Sequence, residues 1–140
     1  MAADQTYATH VYRPTAWTVT WALAVVCEVL FVWSAIVRPL TMTSVGLVLL
    51  GTVAILTVSL LRVFALRLQN RIIRTEMQIR LMRLGREADL ARLTMGQIVA
   101  LRFASDAEVP ALVDRAIAEQ LKPDQIKRAV TSWQGDYLRT

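Results

Sequence analysis

Glu28 is the residue of this chain whose type and setting most demand a chemical explanation. It stands within Ala16–Val37, AWTVTWALAVVCEVLFVWSAIV, 22 residues whose other ionisable group is the thiol of Cys27. A carboxyl near the middle of a membrane helix costs a few kcal/mol and persists when protonated, hydrogen-bonded or paired. Two chemistries fit. Glu28 either hydrogen-bonds to Thr57, to a backbone carbonyl or to a helix of another subunit, or it carries a proton or coordinates an ion. Counting about ten residues inward from the connecting turn sets Glu28 level with Ala54, within a turn or so of Thr52 and Thr57, with Arg62 roughly 12 Å farther along. A relay would need a second intramembrane acid, His or Lys, and the apolar runs supply none, which favours the hydrogen-bonded reading. Ala16, Thr20, Ala24 and Glu28 repeat every four residues, a stripe of mostly small side chains that lets helices approach closely. Glu28, Thr20, Ala24 and Thr57 are therefore the intramembrane polar and interface candidates.

The remaining reactive types form no catalytic set. His10 has no Cys, Asp or Glu at ligand spacing, so it does not read as a metal or pigment ligand. Cys27, the single cysteine, excludes an internal disulfide framework and reads as an inert thiol facing lipid or a helix. No Ser-His-Asp set, phosphate-binding glycine loop or catalytic carboxylate pair can be assembled. The expectation is a protein that is not an enzyme and that holds no metal or cofactor.

The elements that must position these residues are unusually apolar. Of 140 residues 55% are hydrophobic and 19% charged, with a mean hydropathy of +0.42, where a soluble domain carries about a quarter charged residues. Residues 16–37 cover roughly 33 Å as a helix, long enough to cross a bilayer. A second run, Val45–Leu61, is uncharged for 17 residues and continues past Arg62 into VFAL, since an arginine near the interface can snorkel to water. The connection Arg38–Ser44 includes Pro39 and suits a tight turn between antiparallel helices. The first span is too long for a signal peptide's apolar region and no suitable cleavage site follows it, so it is expected to stay. Residues 62–92 hold eight arginines against three acids, net +5, while the segments on either side sum to zero. The positive-inside rule then puts both termini in the cytoplasm, with Trp17 and Trp21 at the inner interface and Trp33 near the outer one. Arg62, Arg67, Arg71 and Arg74 are the expected headgroup and topology residues, with anionic lipid as partner. No aromatic residue interleaves Arg67–Arg92, so nucleic acid is not an expected partner.

The expected fold is an all-α membrane protein: a two-helix transmembrane hairpin, its second helix extended as a cytoplasmic amphipathic stalk, then a cluster of three short helices. The divisions are an N-terminal segment 1–15, the hairpin 16–66 (spans 16–37 and 45–66), a basic stalk and connection 67–92, and a small helical domain 93–140. Along the stalk, Leu61, Ala65, Leu68, Ile72, Ile79 and Met82 form a coiled-coil-like seam. Thr75 and Glu76 interrupt it, which argues for a packing face rather than a long self-associating coil. Gly85 marks the stalk's end. Thr94–Gln97 and Ser105–Glu108 read as capping boxes opening helices near 95–104 and 106–120. A third helix opens at Pro123 and runs to about Ser132. In the tail, Trp133, Asp136, Tyr137 and Arg139 either cover a neighbouring helix or anchor in a partner's pocket.

ALRLQNRIIRTEMQIRL (65–81), GQIVALRFASDAEVPALVDRAIAE (96–119) and IKRAVTSWQGDYLRT (126–140) resemble an uncharacterised family of small bacterial inner-membrane proteins. The ALRFASDAE stretch and the W-x-x-D-Y-x-R ending are the most specific parts. The resemblance covers nearly the whole chain and implies a bacterial cytoplasmic membrane setting and no assigned activity.

Three functions follow as expectations. The first is a non-catalytic accessory or scaffolding subunit of a larger membrane complex, respiratory or photosynthetic, docking on other membrane subunits through hairpin and tail. The second is a self-assembling homo-oligomer with Glu28 in a proton or ion path. The third is a membrane-anchored adaptor for a soluble partner bound by residues 94–140.

Overall fold

The computed structural model describes residues 6–9, 14–38 and 41–136. His10, Arg13, Pro39, Tyr137 and Arg139 lie outside the described residues. The described chain is helical: α1 Thr15–Val37, α2 Met42–Arg83, a short 3-10 helix Glu87–Arg92, α3 Met95–Leu101, α4 Val109–Ala118 and α5 Pro123–Ala129. Two helices, α1 and α2, are long and apolar enough to cross a membrane. The chain divides into two compact units, residues 13–67 and residues 1–12 with 68–140.

In the first unit the hydroxyls fold back on their own helices. Thr18, Thr20 and Ser59 donate to the carbonyls of Pro14, Ala16 and Ile55, at 2.8–3.0 Å. Each polar group is thus satisfied within an apolar helix. α2 opens at Met42 rather than Val45 because Thr41 and Ser44 cap reciprocally. Thr41 N–H donates to Ser44 Oγ at 2.9 Å, and Ser44 N–H to Thr41 Oγ1 at 3.2 Å. Within this unit α1 meets α2 through two indoles: Trp17 Nε1 donates to the Val58 carbonyl at 3.4 Å and Trp21 Nε1 to Ser59 Oγ at 3.3 Å.

The second unit forms around the last turns of α2. Ile73, Met77 and Leu81, spaced by four, are 0–4% exposed and face Leu90, Leu93, Ile98, Leu101, Val109, Val113 and Ile126. The residues of the expected seam are not the ones that meet these helices: Leu68, Ile72, Ile79 and Met82 stay 48–62% exposed. Arg80 explains the choice of face. Its guanidinium donates to the carbonyls of Ala104 and Arg102 and pairs with Asp106, drawing the loop after α3 onto its own side of α2. α2 then ends in a Schellman motif. Gly85 takes φ +68°, Arg86 N–H donates to the Leu81 carbonyl at 2.8 Å and Gly85 N–H to that of Met82 at 3.1 Å.

Of the two expected capping boxes, the first forms. Gln97 N–H donates to Thr94 Oγ1 at 3.3 Å and Thr94 N–H to Gln97 Oε1 at 2.8 Å. The buried Gln97 amide also donates to the carbonyls of Ala116 and Leu121, at 3.2 and 3.0 Å, joining the start of α3 to the end of α4. At the second site Ser105 contributes its carbonyl, to the amides of Glu108 and Val109, and α4 opens at Val109 without a side-chain cap. Glu108 is used elsewhere: its carboxylate accepts from the Thr131 and Ser132 amides at 3.0–3.2 Å and from the Thr131 hydroxyl. Taking those two amides helps end α5 at Ala129, short of the expected Ser132.

Gln97→Ala removes two buried donors and half of a helix cap, leaving the Leu121 carbonyl without its side-chain donor. A loss of about 2–3 kcal/mol is expected, read as a lowered midpoint in thermal or denaturant unfolding of the full chain. An unchanged midpoint would show that Gln97 does not pin these helices.

Candidate functional site

Glu28 is half-buried in α1, and its neighbour across the helices is glycine. Gly51 is buried, and a Cβ built there would overlap the Glu28 carboxylate and lie 3.2 Å from Phe31. The missing side chain is what lets α2 approach. The Thr52 hydroxyl donates to Glu28 Oε1 at 2.9 Å. Glu28 Oε2 is enclosed with no hydrogen-bond partner among the described residues. Glu28 meets α2 at the level expected from the register, but the hydroxyl that reaches it is Thr52's rather than Thr57's. Thr20 turns its hydroxyl to the Ala16 carbonyl, and Ala24 is half-buried. An i, i+4 stripe of small residues is visible in sequence, but Gly51 was missed because one glycine in an apolar helix signals nothing until its neighbour is known.

The arginines separate into two groups. Arg62 places its guanidinium 5.6 Å from the Trp17 ring centre, within cation–π range. Arg67, Arg71 and Arg74 are exposed on α2. Farther along, Arg80 pairs with Asp106, Arg86 with both Asp89 and Asp114, and Arg92 with Asp89 at 3.7 Å. Part of the +5 segment therefore holds the second unit together.

The two described tail candidates, Trp133 and Asp136, are folded inward. Trp133 stacks on Phe103 with ring centres 4.6 Å apart and 17° between planes, and an isolated antiparallel bridge joins it to Ala104. Gln134 N–H donates to the Phe103 carbonyl at 2.7 Å, and Asp136 pairs with Arg102 at 3.0 Å. Trp133 and Asp136 thus cover a neighbouring segment of their own chain. Tyr7 belongs to the same unit: its hydroxyl donates to Asp124 at 2.6 Å and accepts from Arg128 Nε at 3.0 Å. Neither Glu108's clamp nor Tyr7's contact, 117 residues from Asp124, leaves a local signal in the sequence.

Three carboxyls of this unit are held below their ordinary range. Glu108 is lowered chiefly by the Thr131 hydroxyl, against an opposing effect of burial. Asp114 is lowered by its hydrogen bonds to Arg86, and Asp124 by the Tyr7 hydroxyl. Among the described residues, no three His, Cys, Asp or Glu side chains gather as a metal site.

A family model matches residues 1–140, the whole chain. The chain belongs to a family of unknown function, DUF6526. No curated protein and no solved structure is detectably similar to it. Membership in DUF6526 supports the resemblance to an uncharacterised family and transfers no activity, so function in this DUF6526 chain must be argued from its own residues.

Two outcomes are expected. A Glu or Asp whose folded pKa is depressed contributes stability that is full above its unfolded pKa, about 4, and is lost as pH falls through the folded value. The unfolding midpoint should therefore fall as the medium is acidified below about pH 5. Glu108→Gln should lower the midpoint at pH 7 and flatten that acid decline; an equally steep decline would remove Glu108 from the account. Second, Gly51→Leu should destabilise the helix pair by about 1–3 kcal/mol through overpacking. Gly46→Leu, where a Cβ meets nothing within 4 Å, should be near neutral in the same detergent melt.

Proposed function

We propose that this protein is a non-catalytic accessory or scaffolding subunit of a larger bacterial membrane complex, anchored in the cytoplasmic membrane by α1 and the first half of α2 as a hairpin. The observation that carries this reading is the apolar surface left open. No residue of α1 is buried, and Leu23, Val26, Val29, Leu30, Ile36 and Val37 are each more than half exposed. One neighbouring helix cannot cover such a surface, and lipid or the helices of other membrane subunits are the environments that match it.

The topology within the reading comes from charge. The net positive segment after α2's apolar half marks the cytoplasmic side. Tyr7, bonded to Asp124 and Arg128, keeps the N-terminal segment with the C-terminal helices and supports both ends lying there. Exposed Arg67 and Arg74 then meet anionic headgroups. Because Trp133 and Asp136 are engaged within their own unit, docking is assigned to the apolar helix faces rather than to these two residues.

The test is purification of the natively expressed chain in mild detergent, followed by the mass and composition of the particle. Larger membrane subunits in fixed stoichiometry are expected. A particle built from this chain alone would overturn the reading.

A further inference from the structure

α2 is apolar on two opposite faces, and its own chain covers one of them. Beyond Arg67, Ile73, Met77 and Leu81 face the core, whereas Leu68, Ile72, Ile79 and Met82 stay 48–62% exposed. A shallow groove runs along this open face, lined by Leu68, Arg71, Ile72, Thr75, Glu76 and Ile79. The positions 68, 72, 75, 79 and 82 alternate steps of four and three, the spacing of a coiled-coil seam with Leu68, Thr75 and Met82 at d and Ile72 and Ile79 at a. Ile73, Met77 and Leu81 take positions b, f and c, away from that seam, so a partner helix there would not disturb the core.

Thr75 does not break the seam. Its hydroxyl donates to the Arg71 carbonyl of its own helix at 3.1 Å. A hydroxyl satisfied in this way leaves little desolvation cost for burial. Glu76 falls at e, beside the seam, and Arg71 falls at g of the preceding heptad. In a parallel pair of such helices, a g residue of one copy faces the e residue five positions on in the other, so Arg71 meets Glu76 of the second copy, twice by symmetry. An antiparallel pair sets e against e and g against g, bringing like charges together. Arg71 and Glu76 are exposed and enter none of the chain's own ion pairs among the described residues. Ile72 and Ile79 supply β-branched side chains at a, the position where they favour two strands, with Leu68 at the first d.

We infer that the open face of α2, residues 68–82, docks a second copy of this chain as a parallel two-stranded coiled coil registered by Arg71 and Glu76. The inference rests on this face alone and stands or falls separately from the accessory-subunit reading, since a dimer can exist inside or outside a larger complex.

The test uses the full chain in a Cys27→Ser background, reconstituted into phosphatidylcholine and phosphatidylglycerol vesicles, with single cysteines at Ile72, Ile79, Asn70 or Arg74. Asn70 and Arg74 fall at f and c, off the seam. Copper-catalysed oxidation should give disulfide dimers at Ile72→Cys and Ile79→Cys at least about tenfold faster than at Asn70→Cys and Arg74→Cys, because Cβ atoms must come within roughly 4.5 Å to bond. In the Ile79→Cys background, Arg71→Glu and Glu76→Arg should each lower the yield, and the two together should restore it. Equal rates at all four positions, no dimer at any, or a double exchange that fails to restore the yield would each overturn the inference.

Discussion

Three helices of seven, ten and seven residues cannot enclose a core of their own; small clusters bury too little of the surface their unfolded chain exposes. The missing wall is supplied by α2, whose Ile73, Met77 and Leu81 project at every fourth position into the space among α3, α4 and α5. Everything after Gly85 depends on that stripe. Arg80 lies beside it and reaches the loop after α3, and the Schellman turn at Gly85 reverses the chain so that the 3-10 helix can place Leu90 and Leu93 over the same stripe.

Polar groups do the remaining work of selection within this unit. Gln97 joins a helix start to a helix end through a buried amide, and Glu108 gathers two amides and a hydroxyl from a segment 23 or 24 residues away. Arg86 holds both its own turn and α4. For the buried Gln97 amide, abandoning its partners costs more than forming the bonds yields, so that link is specific as well as stable. Glu28 applies the same rule in the apolar unit, where a glycine opposite makes room and one threonine hydroxyl meets one carboxylate oxygen.

A helix with two apolar faces also explains why α2 resists simple reading. Amphipathicity is defined by contrast, and on α2 the contrast is between two apolar strips separated by exposed charged and polar positions such as Arg71, Arg74, Glu76 and Gln78. Folding consumes one strip, and the other remains as a surface that association can bury.

The sequence by itself determined the helical class, the two apolar stretches, the net charge after the second, the stop at Gly85 and the cap at Thr94. All of these rest on residues within a few positions of one another, where length, periodicity and main-chain hydrogen bonding leave few alternatives. It also brought Glu28 to the right level of α2. Only the tertiary structure decided that Thr52 rather than Thr57 meets it, that Ile73 rather than Ile72 faces the core, that Glu108 leaves its own helix to hold Thr131 and Ser132, and that Trp133 stacks on Phe103. Those choices turn on contacts between residues far apart in the chain. Local pattern scores both candidates in each pair alike, and the difference arises only when a second segment packs against one of them.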